Sequence, residues 1–251
     1  MIELKGLCAG YGGEDIVRNA DITFPDGMIS VIIGPNGSGK STLLQTAVGL
    51  LPSTGGKILI DGLPAEQLSG RTRAQHVAYL AQTAAAPNIT ARRLVLHGRF
   101  PYLSYPRHYS RSDLQAAEQA LIEAGAADLG DRSMQELSGG ERQRVRFAML
   151  LAQDTQNVLL DEPTNFLDIN RQLELAGLAK KMASRGKAVV MVLHDIRMAL
   201  QLADRIAVLK DGAVGEPGPP EEVFSSGAID RAFGVTVRRY LTEDGPQYYF
   251  L

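Results

Sequence analysis

Gly34-Pro35-Asn36-Gly37-Ser38-Gly39-Lys40-Ser41-Thr42 sets glycines, a lysine and hydroxyls in the GxxxxGK[ST] spacing. Such residues can hold phosphate: the glycines let the backbone turn so that successive N–H groups face one anion, and the dipole of a following helix adds attraction. Lys40 supplies a point charge for outer phosphates, Ser41 a hydroxyl for Mg²⁺ and Thr42 a bond to an inner phosphate. Farther on, Asp161 and Glu162 end the apolar run Asn157-Val158-Leu159-Leu160. Carboxylates emerging from a buried strand beside such a loop divide the work. Asp161 holds the Mg²⁺ shell, and Glu162 polarises an attacking water, a general-base role worth roughly 10²- to 10⁴-fold in rate. Ser138-Gly139-Gly140 precedes a helical pattern and offers a hydroxyl and free N–H groups at a positive helix end, a second anion site. One nucleotide does not need two such sites from one chain, whereas two copies meeting head to tail over shared nucleotides do.

Each feature has a purely structural alternative. The glycine loop could be a turn without ligand, Asp161-Glu162 an acidic cap before Pro163, and Ser138-Gly139-Gly140 an ordinary helix cap. Their joint presence favours phosphate chemistry. Arg142, Arg144 and Arg146 alternate around one helix and read as a solvated face.

The loop requires a strand before it and a helix after it. Ser30-Val31-Ile32-Ile33 and the pattern over 41–50 supply them. Upstream, 2–4, 16–24 and 28–33 read as short strands joined by glycine and Pro25-Asp26-Gly27 turns, and 56–62 and 76–80 as further strands. Residues 87–135 carry helical patterns instead, the clearest over 112–124 with Ser112 or Asp113 as cap. Beyond lie a helix over 140–152, a buried strand over 157–160, a helix over 171–184 and strands over 188–193 and 205–210. A short helix near 221–225 and a hairpin around Glu243-Asp244-Gly245 close the chain. Helices alternating with apolar strands imply a mainly parallel sheet. The expected fold is α/β: a phosphate-loop NTPase core with an N-terminal antiparallel β subdomain and an inserted α-helical subdomain, the core over 1–86 and 153–251 and the insertion over 87–152.

The 251 residues allow roughly three-quarters of the unfolded surface to be buried. A net charge of −2 gives no global pull toward nucleic acid or anionic lipid. The single Cys8 cannot form an intrachain disulfide, and the MIELKGLCAG start lacks signal-peptide features, so a reducing cytosolic setting is expected. Apolar stretches such as 147–152 and 188–193 are far too short to span a bilayer.

In the order of its motifs, over nearly its whole length, the chain resembles the nucleotide-binding subunit of ATP-binding cassette transporters. The resemblance implies that Tyr11 stacks on adenine and that Gln82 contacts the metal or attacking water and senses a membrane partner. It further implies that Asp168 is a dimer contact and that His194 touches the γ-phosphate. Residue by residue, Tyr11 could instead pack in a turn, Gln82 be a loop amide, Asp168 cap a helix and His194 be a satisfied polar group. Also implied are ATP and Mg²⁺ as ligands, a homodimer in the ATP-bound state, integral membrane permease subunits and an extracytoplasmic substrate-binding protein. The place of work would be the cytoplasmic face of the inner membrane, peripherally bound, with no nucleic acid partner. Segment 97–121 and the tract AMLLAQDTQNVLLDEPTNFLDIN resemble the ATPases of iron-siderophore, haem and vitamin B12 importers. Residues 83–111 mix Arg92, Arg93, Arg99, Arg107 and Arg111 with Tyr102, Tyr105 and Tyr109, a composition suited to a permease-docking groove, to single-stranded nucleic acid or to a solvated face. The competing reading of the whole chain is a soluble ATPase of the same family that clamps a macromolecule in an ATP-dependent way.

Overall fold

Strand and helix alternate through most of the computed structural model, which describes residues 1–82, 86–165, 167–243 and 245–251. Residues 83–85 of the basic-aromatic segment, Phe166 of the tract after Glu162 and Asp244 of the closing turn lie outside the described residues. The amino-terminal part comprises β1 (Ile2–Tyr11), β2 (Glu14–Phe24), β3 (Ile29–Ile33), α1 (Lys40–Ala47), β4 (Gly55–Ile60), β5 (Leu63–Pro64), α2 (Gly70–His76) and β6 (Val77–Leu80). Three helices follow: α3 (Ala91–His97), α4 (Arg111–Glu123) and α5 (Gly139–Gln153). Alternation resumes with β7 (Asn157–Asp161), α6 (Ile169–Ser184), β8 (Ala188–Val192), α7 (Ile196–Leu202), β9 (Arg205–Lys210) and β10 (Ala213–Val214). The chain then runs through α8 (Pro220–Ser225), α9 (Ala228–Phe233), β11 (Val237–Thr242) and β12 (Gly245–Phe250).

A six-stranded sheet ordered β10-β9-β3-β8-β7-β6 forms the centre. It is parallel except for β10. β3, β7 and β8 are buried along their whole length, which is why they read as continuous apolar runs rather than alternating ones. Successive residues nonetheless point to opposite faces: Val189 and Met191 join a core shared with α3 to α6, Val190 and Val192 one shared with α1 and the N-terminal sheet. That N-terminal sheet is antiparallel, ordered β2-β1-β4-β5. β11 and β12 form the expected closing hairpin.

Several boundaries differ from those expected, for local reasons. β1 spans Ile2–Tyr11 rather than 2–4 because its register against β2 slips between Leu4 and Leu7. Gly6, at φ +56°, takes the left-handed backbone of that bulge, so the inward positions change from Ile2 and Leu4 to Leu7 and Ala9 and the simple alternation is lost. α4 is capped by Ser110, not by Ser112 or Asp113; Asp113 is its third residue and closes a capping box with Ser110. Arg142, Arg144 and Arg146 are not a solvated face: all are half-buried, and Arg144 donates to the Gly125 carbonyl. Nor are Arg99 and Tyr102 free for docking. Arg99 pairs with Asp113 at 3.1 Å and donates to the Ala152 carbonyl, and the Tyr102 hydroxyl donates to the Gln153 carbonyl. Among the described residues, no helix is long and apolar enough to cross a membrane.

Candidate active site

The parallel strands deliver their carboxyl-terminal ends to one edge of the sheet, the usual ligand-binding edge of such sheets. There β3 runs into Gly34 and the loop ends at α1. Gly34 leaves no room for a side chain, since a Cβ would lie 2.0 Å from the Leu209 carbonyl oxygen of β9. Gly39, at φ +102°, is the N-cap of α1 and makes no side-chain capping bond. No acidic residue occupies the first turn of α1. Its leading N–H groups are thus set up for an anionic acceptor from outside the chain. Ser38 Oγ, buried in the loop, has no hydrogen-bond partner within the protein. Lys40 is also buried, its Nζ donating to the Gly34 and Pro35 carbonyls at 2.9 Å each. Burial lowers the Lys40 pKa from its ordinary value, against the opposing charges of Glu162 and Asp161. An ammonium held by carbonyls of its own loop, an orphaned hydroxyl and an open helix N-terminus together fit a polyphosphate.

Asp161 stands at the end of β7, 1 % exposed. Ser41 Oγ donates to its Oδ1 at 3.2 Å and the Tyr79 hydroxyl to its Oδ2 at 3.0 Å. Burial raises the Asp161 pKa, against the bonds from Ser41 and Tyr79 and the charge of Lys40. Among the described residues, no group of three or more His, Cys, Asp or Glu side chains forms a metal cage. One carboxylate beside a hydroxyl matches the sparse protein share of a Mg²⁺ site completed by substrate phosphates and water.

Glu162, also buried, takes a left-handed backbone at φ +51°, a conformation that costs a non-glycine residue about 1–3 kcal/mol and clusters at functional sites. Its carboxylate is ringed by donors. Gln82 bonds Oε2, Asn165 Nδ2 reaches the same oxygen at 2.7 Å, and His194 Nε2 lies 2.6 Å from Oε1. Gln82 and His194 are exposed while Glu162 is not, so the cluster opens on its solvent side.

Lys40, Ser41, Gln82, Asp161, Glu162 and His194 therefore come together. Tyr11, 52 % exposed at the end of β1, reaches α1 through its hydroxyl, which donates to Gln45 Oε1 at 3.2 Å. Ser138 and Gly139 are exposed at the start of α5, and Ser138 closes a capping box with Glu141. Asp168 is exposed and caps α6, accepting from the Arg171 amide at 2.9 Å. Pro35 and Thr42 keep their expected places in the loop and first turn, Thr42 buried, while Asn36 is exposed. Tyr79, Gln45 and Asn165 were not foreseen. Asn165, three residues after Glu162, could have been found from its spacing in the turn, but Tyr79 needs the strand pairing to be known.

The ABC transporter family model matches residues 17–165. A probable siderophore transport system ATP-binding protein of Bacillus subtilis is 37% identical over 97% of this chain and 88% of its own length. The ferric enterobactin transport ATP-binding protein of Escherichia coli is 37% identical over 94% of this chain and 88% of its own. The hemin import ATP-binding protein of Myxococcus xanthus is 38% identical over 94% and 91%. Among solved structures, a dimeric bacterial ABC transporter cassette superposes with TM-score 0.79 at 30% identity, covering 88% of this chain and 99% of that one. An inward-facing metal-chelate type ABC transporter shares the fold with TM-score 0.84 at 24% identity, covering 100% and 96%. The chain belongs to the ABC transporter family.

Proposed function

We propose that this chain is the ATP-hydrolysing subunit of an importer for iron chelates such as siderophores or haem. The observation that carries the proposal is the convergence of Ser41, Asp161, Glu162, Gln82 and His194 beside an open helix N-terminus. The named cargoes of the relatives, siderophores and hemin, supply the chemical class.

Gly34, Pro35, Asn36, Gly37, Ser38 and Gly39 wrap the phosphates, Lys40 and Thr42 bond them, and Tyr11 packs on the adenine. Ser41, Asp161 and Gln82 would hold Mg²⁺, which would neutralise charge developing on the transferring phosphoryl group. Glu162 orients and deprotonates the attacking water, and His194 steadies the γ-phosphate end. Ser138, Gly139, Gly140 and Asp168 face the nucleotide of a second copy, a role in keeping with the exposure of Ser138 and Gly139 at the start of α5 in the single chain. The helical segment 87–152 forms a subdomain beside the core of 1–86 and 153–251. The dimer sits peripherally on the cytoplasmic face of the inner membrane, bound to permease subunits that receive cargo from an extracytoplasmic binding protein.

The deciding variant is Glu162→Gln. With ATP and Mg²⁺ it is expected to run as a dimer in size-exclusion chromatography with light scattering, while hydrolysis falls by roughly 10²- to 10⁴-fold. Unchanged turnover would remove Glu162 from its role. A monomer that retains ATP would overturn the shared-site arrangement.

A further inference from the structure

Tyr79 is the third residue of β6, where parallel pairing sets it beside Leu159 of β7. Side chains repeat every second residue along a strand, so Tyr79, Leu159 and Asp161 share one face of the sheet. That is the face covered by α1, whose Leu43, Leu44 and Ala47 pack with Leu159 and Tyr79 in one core. The tyrosine ring is thereby anchored in apolar packing while its hydroxyl reaches the metal end of the site. Each oxygen of the Asp161 carboxylate has its own hydroxyl donor, Ser41 on Oδ1 and Tyr79 on Oδ2. Burial, with the Asp161 charge and hydrogen bond after it, pushes the Tyr79 pKa far up, while Gln45 acts in the opposite sense. Gln45 also accepts from Tyr11, so Tyr79 stands between the expected base-binding end and the expected metal-binding end of the site.

We infer that Tyr79 is a positioning residue for the metal-binding carboxylate, its hydroxyl holding Asp161 Oδ2 so that the carboxylate cannot rotate and Oδ1 stays beside Ser41. The inference rests on the reading of Asp161 as the Mg²⁺ carboxylate. A buried carboxylate that loses one of two donors gains rotational freedom, which weakens a divalent cation site. Partners of this kind commonly change metal affinity by about 10- to 100-fold.

The test is a titration of Mn²⁺, read by electron paramagnetic resonance, into ATP-loaded protein carrying Glu162→Gln to block turnover. Adding Tyr79→Phe is expected to raise half-saturating Mn²⁺ roughly tenfold, with binding of a fluorescent ATP analogue in excess chelator unchanged. Without the Glu162 substitution, Tyr79→Phe should need correspondingly more Mg²⁺ for half-maximal hydrolysis and regain its rate at high Mg²⁺. An unchanged Mn²⁺ titration overturns the inference, as does a loss of chelator-resistant nucleotide binding equal to the loss of metal binding, which would mark a merely structural role. Asp161→Asn in the same background separates the two levels. If it abolishes Mn²⁺ binding while Tyr79→Phe changes nothing, only the Tyr79 role fails; if it too changes nothing, the metal reading of Asp161 fails and takes this inference with it.

Discussion

Lys40 concentrates the logic of the site in one side chain. Its ammonium is desolvated and satisfied by two carbonyls of its own loop, an arrangement that leaves the charge available to a phosphate without new ordering of a long chain. Lys40→Ala removes a charge-assisted bond of about 1.5–3 kcal/mol, so ATP affinity measured by calorimetry should fall on the order of ten- to a hundredfold. Normal affinity would count against the phosphate-loop assignment. Gly34→Ala tests a different cause, because the added methyl collides with the backbone of β9 rather than with ligand. It should lower urea stability by about 1–3 kcal/mol, in the range of overpacked cores, as well as weaken nucleotide binding. A Gly34→Ala protein of wild-type stability would contradict the tight approach of loop and strand. The residues that bond phosphate or water were legible because their chemistry constrains spacing along the chain. Tyr79 and Gln45 were not, because their roles arise from the pairing of β6 with β7 and from the seat of α1, neither of which a single sequence states.

Helix termini show the same division between chemistry that is local and chemistry that is shared. α4 and α5 open with the same device, a serine whose hydroxyl accepts from the third residue while that residue's carboxylate accepts from the serine amide. Ser110→Ala and Ser138→Ala should each cost about 1 kcal/mol of stability. Only Ser138→Ala should also prevent ATP-dependent dimerisation, and equal dimerisation of the two variants would show that the α5 cap is structural alone. Asp113 carries a pH dependence. Burial pushes its pKa up, but bonds from the Ser110 hydroxyl and amide and from Arg99 outweigh burial and hold it below its ordinary 3.8. A carboxylate lowered in the folded state adds stability that is complete above its unfolded pKa and is lost as pH falls through the folded one. Asp113→Asn should therefore lower the melting temperature at neutral pH, with a deficit against wild type that begins to shrink only as pH falls below about 3.8. The α4 helix itself was readable from its periodicity. Its cap lies two or three residues earlier than expected because Ser110, Ser112 and Asp113 are all good caps by type, and only the backbone, extended at Ser110, chooses among them.

At the scale of the whole molecule, 26 basic and 28 acidic side chains leave the surface without a strong net field. The basic-aromatic segment loses much of its apparent cationic character on folding. Arg92 pairs with Glu118 and Asp131, Arg99 with Asp113, and Arg107 lies over the Phe100 ring at 4.9 Å. What remains is a groove of about 460 Å³ lined by Leu96, His97, Tyr109 and Leu114, with Leu114 53 % exposed on α4. A mainly apolar groove in which Arg92 is already paired, with only Arg93 of its lining arginines exposed and outside the ion pairs, suits a helix from a membrane protein better than a phosphate backbone, because nucleic-acid affinity comes mostly from counterion release by several unpaired cations. The two partners also respond differently to salt. Binding to DNA or RNA through several phosphates would collapse between 50 and 200 mM salt by about 10³-fold or more, whereas apolar docking would survive it. Leu114→Asn should accordingly abolish co-purification with a permease while leaving ATP binding intact. Retention of the wild-type subunit on that permease should change little across the same salt range. Salt-sensitive capture of RNA or DNA by the wild-type subunit, undiminished by Leu114→Asn, would instead make the groove irrelevant and move the chain to the macromolecular-clamp branch of the family.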